Sequence, residues 1–262
     1  MTFHYCLSLC LLIALEREPG EWRDGCQMVA IFARDVDSHL EIPEQDQKLY
    51  ASHLNAALDQ HSLELDHSQF VLLVDRNSFV QTVFVYWISE SQEYVFIGAA
   101  PVSTGKPGRF DYSETPLGVF AHSIDNPDYR ALGTKNELGI RGYGVKGMRV
   151  YDFGWVETRL GWGAPRQGLI RLQMHATDPD HLERFLGTAR SKGCVRIPAS
   201  LNTLIDRYGL LDADYEKALQ EGHRPFVLLA SRNPTPWSGR YLVVVDSGRT
   251  EPPAWSNRST TK

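Results

Sequence analysis

His175 and the run Ser191-Lys192-Gly193-Cys194-Val195-Arg196 contain the residue types from which nucleophilic catalysis is built. A cysteine attacks a carbonyl carbon as its thiolate, and neighbouring cations or an imidazole make that thiolate easier to form. Arg190, Lys192 and Arg196 all lie within four residues of Cys194, so the spacing predicts a lowered thiol pKa. Gly193 puts no side chain beside the sulfur, which suits a loop whose N–H groups meet a developing oxyanion. His175 closes a run in which Ile170, Leu172 and Met174 alternate with Arg171, Gln173 and His175. Alternation of this kind belongs to a strand with one polar face, and it sets His175 on that face at the strand's end. A histidine there would act as general base and later as general acid. The competing reading of a lone cysteine is a small buried hydrophobe, and three nearby cations speak against it.

The elements that must carry these residues are mostly strands. QFVLLVD at 69–75, FVQTVFVYWI at 79–88 and YVFIGAAPV at 94–102 are rich in β-formers, as are MRVYDF at 148–153 and LIRLQMH at 169–175. Gly- and Pro-rich loops separate them, including STGKPGRF at 103–110 and GIRGYGVKG at 139–147. The pattern implies a sandwich or barrel. Residues 34–68 read as helical, with Leu49, Tyr50, Leu54, Ala57 and Leu58 at helical spacing. After Pro198 a second helical stripe runs through Leu201, Leu204, Ile205 and Tyr208, with Ser200 as expected N-cap and Gly209 as stop. Asp212 is expected to cap a short helix to about Gln220. Strands at PFVLLA from Pro225 and RYLVVVD from Arg240 follow, and the polar segment 247–262 reads as a disordered tail.

Composition narrows the function classes. The 262 residues are 42% hydrophobic and 23% charged, which suits a folded chain with an ample core. With 27 Lys+Arg against 32 Asp+Glu, the formal charge of -5 disfavours a nucleic-acid partner. The apolar run at 3–15 has the length of a signal-peptide core, with no basic residue before it; residues 26–33, ending in Ala33, are a second candidate. Residues 1–33 are therefore expected to be a leader or N-terminal anchor, the alternative being an N-terminal core helix. Four cysteines (Cys6, Cys10, Cys26 and Cys194) are too few for a disulfide scaffold. No Walker loop, dinucleotide fingerprint or zinc motif is present, so neither cofactor nor metal is expected.

The segment SKGCVR resembles the signature of the L,D-transpeptidases of bacterial cell-wall synthesis, in which a Ser or Thr, a variable residue, Gly, the catalytic Cys, an apolar residue and Arg or Asn follow one another. His175 lies 19 residues before Cys194, close to the family's spacing, although His175-Ala176-Thr177 stands where many members have His-Gly-Thr. Val102-Ser103-Thr104-Gly105-Lys106, Thr115-Pro116-Leu117-Gly118-Val119-Phe120 and the opening strand VLLVDRN at 71–77 resemble further family segments in the same order. The resemblance covers about residues 69–200.

It implies a mainly β (α+β) fold, an L,D-transpeptidase-like β-sandwich with short helices at its N-terminal and C-terminal sides, in which residues 201–246 pack on the catalytic domain. It implies Cys194 as nucleophile and His175 as base, with the Cys194 N–H and that of Gly193 holding the oxyanion. Ser191 would orient His175 or hold the loop. Arg196 would position substrate or form a structural salt bridge. Lys192, in place of a frequent histidine, would lower the thiol pKa further. Tyr143, Trp155 and Trp162 lie where the family has a lid or cleft wall, with aromatic packing as the competing reading. His122 reads more readily as a satisfied structural histidine than as a cleft residue, and Met148 as core. The partners implied are peptidoglycan stem peptides, with carbapenems as possible inhibitors, in the cell envelope and most simply the periplasm. The reaction implied is cross-linking of tetrapeptide stems; an L,D-carboxypeptidase using water, or a non-catalytic wall-binding protein, are the alternatives.

Overall fold

Seven consecutive buried residues in QFVLLVD, and seven again in TVFVYWI, require a sheet covered on both faces. The computed structural model, which describes residues 21–163 and 166–256, provides one. Strands β1 (Gln69–Asp75), β2 (Thr82–Ile88) and β3 (Tyr94–Pro101) form an antiparallel meander. β4 (Gly118–Ala121) and β9 (Tyr241–Val245) complete the sheet in the order β3-β2-β1-β9-β4, β9 running parallel to β1 and antiparallel to β4. The second sheet contains β5 (Tyr129–Arg130), β6 (Arg149–Arg159), β7 (Gln167–Ala176) and β8 (Val195–Ile197), in that order, with β8 parallel to β7. The α-helices among the described residues are α1 (Glu21–Asp35), α2 (Glu44–Gln60), α3 (Ala199–Tyr208) and α4 (Ala213–Gln220).

The central core lies between the sheets. Phe70, Leu72, Val85 and Trp87 from one meet Tyr151, Leu172, Met174, Val195 and Ile197 from the other, and Phe32 of α1 and Leu201 and Ile205 of α3 close its margins. A second core on the outer face of the first sheet packs α2, through Tyr50, Leu54 and Leu58, on Val71, Leu73, Phe84 and Val243. The mixed α+β architecture with two sheets is the fold class expected.

The structure corrects several details. α1 runs across the expected leader boundary at residue 33, and Met28 and Phe32 sit in the central core. Residues 26–33 are thus the core helix of the alternative reading, while the run at 3–15 lies outside the described residues. Phe79–Gln81 are a turn and not the start of β2, because Asn77 draws the chain round: its carbonyl accepts from the Val80 and Gln81 N–H groups and its side chain from Phe79. Pro198, not Ser200, occupies the N-cap of α3; the Ser200 hydroxyl instead accepts the Asp37 N–H. PFVLLA is a pair of turns, with Phe226 and Leu229 exposed. An apolar run without a neighbouring edge to pair with forms no strand, and the Val227 carbonyl is instead held by Arg130.

Residues 247–256 of the expected disordered tail fold back. Trp255 packs its ring edge on Tyr50 and Phe84, its indole N–H donates to Asp46, and Arg249 pairs with the same carboxylate. Among the described residues, no helix is long and apolar enough to cross a membrane.

Candidate active site

Parallel pairing of β7 with β8 assembles the site. The register Met174↔Val195, His175↔Arg196, Ala176↔Ile197 sends Met174, Val195 and Ile197 into the core. Their alternates, Gln173, His175, Cys194 and Arg196, therefore share the opposite face. β6 adds Asp152, opposite Gln173, and Trp155, opposite Arg171, to that face. Sequence spacing could not show that Cys194 and His175 come to the same face of one strand pair; the register does.

The glycine-rich turn before Cys194 is fixed by three hydroxyl groups. Ser191 Oγ donates to the Cys194 carbonyl at 2.6 Å and accepts the Gly193 N–H at 3.1 Å. Thr115 Oγ1 donates to the Gly193 carbonyl at 2.7 Å and accepts the Gly105 N–H. The third, Ser103 Oγ, accepts the Arg190 N–H. Gly193 has φ +139°, and a Cβ there would come within 2.8 Å of Ile170. At Gly105 a Cβ would lie 2.1 Å from the Ser113 carbonyl and 3.0 Å from the Gly193 Cα. Residues 103–115, which join the two upstream motifs that resembled family segments, are thus the strap that presses on the cysteine turn.

This geometry decides between earlier alternatives. Ser191 holds the loop; it does not orient His175. The acceptor for His175 Nδ1 is the Ala176 carbonyl at 2.8 Å, which fixes the proton on Nδ1 and leaves Nε2 as the basic nitrogen. The Gly193 N–H is engaged by Ser191, so it is not free for an oxyanion as expected. The Cys194 N–H has no partner among the turn and loop hydrogen bonds of the described residues. His175 is buried, with the Tyr143 ring edge-on at 4.6 Å, and Tyr143 in turn contacts Tyr129. Trp155 is exposed on the site face, whereas Trp162 packs on Phe110 in the strap region.

Electrostatics reverse one expectation. Burial pushes the Cys194 thiol up from its ordinary pKa, and the Gln173 backbone hydrogen bond and the Arg196 guanidinium offset this only in part. The other two cations point away: Arg190 lies over the Phe185 ring and Lys192 pairs with Asp111 at 2.6 Å. Proximity in sequence overstated their effect. Burial likewise brings His175 down to about 4, against the pull of its Ala176 hydrogen bond. The resting pair is a thiol and a neutral imidazole. No hydrogen bond joins them among the described residues.

Arg196 is the residue whose state the sequence hid. Burial lowers its pKa, its Nε is buried without a partner, and its side chain forms no ion pair among the described residues. The structural salt bridge is therefore not formed among the described residues. Asp152, which sequence reasoning missed, accepts from Arg171 Nε and Gln173 Nε2 on this face. No local spacing could have flagged it.

His122 is the satisfied structural histidine expected. It donates from Nδ1 to the Leu211 carbonyl and from Nε2 to Asp128, both buried. Asp128 also binds Arg149, whose guanidinium reaches Asp206 and Asp212.

No family model matches the chain, and no curated protein does. Among solved structures it is similar to a point mutant of Pgp2, the helical cell shape determining protein of Campylobacter jejuni, at 13% identity and a TM-score of 0.31. The match covers 79% of this chain and 58% of that one, so this chain spans less than two thirds of that protein's length.

Proposed function

We propose that this chain is a cysteine acyltransferase of the L,D-transpeptidase type, acting on peptidoglycan tetrapeptide stems in the cell envelope, with the periplasm as its compartment. The observation that carries the reading is the shared face of β7 and β8. That face carries a thiol and a guanidinium without an ion pair among the described residues, both within the motif that resembles that family, and an imidazole with its basic nitrogen defined.

The chemistry follows from the resting protonation states. A thiol with a raised pKa and a neutral imidazole do not form a standing ion pair; the sulfur loses its proton to His175 as attack begins. The sulfur adds to the carbonyl between the third residue, a diamino acid, and the terminal D-Ala. The oxyanion lies at the Cys194 N–H. The carbon–nitrogen bond then breaks, the D-Ala amine takes the proton from His175, and a thioester remains on Cys194. The side-chain amine of a second stem attacks that thioester, its proton passing to His175 and on to the departing sulfur. The bond energy is conserved in the thioester, so no nucleotide is consumed. Tyr143 packs on the base, Trp155 offers an exposed apolar wall, and a carbapenem would acylate the same sulfur.

Mass spectrometry of products after incubating the full chain with a purified disaccharide-tetrapeptide tests this. A dimer formed with loss of one D-Ala is expected, and none with Cys194→Ala. Loss of D-Ala without dimer would make water the acceptor and the protein an L,D-carboxypeptidase. Unchanged substrate with folded protein would point to a wall-binding role.

A further inference from the structure

Beside Arg196 lies a cavity of about 440 Å³. Its lining includes Lys106, Arg109, Arg190 and Arg196 together with Ser103 and Tyr112, and no carboxylate. None of the four cations forms an ion pair among the described residues, and Arg196 among them is largely buried. A chain with a net charge of -5 has carboxylates to spare for pairing, so four unneutralised cations converging on one cavity mark a place kept for an external anion. Two of them are fixed in direction. Arg190 is stacked 4.3 Å above Phe185 and bonded to Thr188, and Arg196 is largely buried with an unpartnered Nε. Lys106 and Arg109 sit on the strap, which Lys106 anchors by donating its N–H to the Ser191 carbonyl.

We infer that this cavity is a subsite for an acidic peptide bearing at least two carboxylates, and that it selects donor stems whose diamino acid keeps a free carboxylate over stems in which it is amidated. The inference rests on the acyltransferase reading for the identity of the peptide; the anion pocket itself does not. One cation would serve a single carboxylate. Four, entering from the strap, the loop before Ser191 and β8, serve two separated charges, and the apolar Leu182 and Phe185 give the chain between them a dry surface. A carboxamide presents N–H donors to guanidinium donors and loses both attraction and geometry.

The test is calorimetric binding to the full chain carrying Cys194→Ala, which separates binding from turnover. The probes are two product-like peptides lacking the terminal D-Ala, one with the diamino acid's side-chain carboxylate free and one with it amidated. The free acid should bind about tenfold more tightly or better, with affinity falling as NaCl rises from 50 to 500 mM. Arg190→Gln and Lys106→Gln should each weaken the free acid several-fold and leave the amidated peptide little changed. Thermal unfolding checks that both variants remain folded. Equal affinity for the two peptides, or no binding of either, overturns the proposal. So does displacement of the acid by inorganic phosphate at equal concentration, which would make the cavity a plain anion site. Acid-selective binding without any acyl transfer by the native chain would keep the pocket and sink the enzymatic reading. Turnover of both donors at equal rates would do the opposite.

Discussion

His122 and His175 are both buried, and burial drives both toward neutral imidazole, yet they end in opposite states. His122 donates from both nitrogens, to the Leu211 carbonyl and to the Asp128 carboxylate. Two acceptors demand two protons, and the carboxylate outweighs desolvation, so its pKa is raised. His175 has one acceptor, the Ala176 carbonyl, and a guanidinium in place of a carboxylate nearby, so it falls to about 4. The lesson is that the acceptors around a buried imidazole set its charge, and burial sets only what those acceptors must overcome. One histidine is structural because its capacity is used up; the other is fit for chemistry because half of it is not.

The strongest way to break this contrast is Asp128→Asn. It strips the carboxylate from His122 and from the fully buried Arg149, and a buried charge deprived of its partner costs about 3–5 kcal/mol. Urea unfolding at pH 7 measures it. A loss below about 1 kcal/mol would mean that the network is not what keeps His122 charged.

Next come the crossed histidine variants. His175→Gln should reduce acyl transfer by roughly 100-fold or more with stability changed by less than about 1 kcal/mol. His122→Gln should do the reverse, unfolding at lower urea while the surviving folded protein keeps most of the proposed acyl-transfer rate. Equal effects of the two variants on rate would erase the distinction.

A pH series sharpens it. The folded pKa of His175 lies below its unfolded value near 6.5, so the unfolded chain binds a proton that the folded one refuses. Stability should therefore fall between pH 6.5 and 4, by roughly 3 kcal/mol for this residue, and His175→Gln should flatten that decline. The raised pKa of His122 works the other way: its stabilisation is complete below about pH 6.5 and is lost as pH climbs through its folded pKa, with Asp128, Arg149, Asp212, Tyr151 and Tyr215 facing it. Imidazole proton NMR should show His175 titrating near 4 and His122 titrating above the ordinary imidazole range.

The smallest expected effect is at Lys192→Ala. Its exposed pair with Asp111 should contribute less than about 1 kcal/mol, and the rate of Cys194 alkylation by iodoacetamide should stay within about twofold. A large drop would restore the role that sequence proximity had suggested for this cation.

The contrast between the histidines also marks where the sequence stops being legible. His175 and Cys194 were readable because strand alternation and a short local motif put them on the page, and β1, β2 and β3 because their apolar runs can be nothing but buried strands. Asp128, Arg149, Asp206 and Asp212 were not readable: they come from separate loops, strands and helices and share no spacing. Arg196 was visible as a residue, but its lack of a partner is a property of what surrounds it. PFVLLA was misread because β-propensity is local while pairing needs an edge. The segment 247–256 was misread because its polarity is local while the Trp255 dock on Tyr50 and Phe84 is about two hundred residues away in sequence.

The position of β9 has a consequence for how the chain comes into being. It is inserted between β1 and β4, so Val71 waits for Tyr241, and the meander that starts the sheet is synthesised long before the strand that closes its inner edge. Until then two strand edges rich in Val and Leu face water, the condition in which nascent chains pair with the wrong neighbour. Folding must be slow, dominated by long-range closure and completed only after residues 241–245 are available. A chain truncated before Tyr241 should therefore aggregate and never reach a smaller version of the native state.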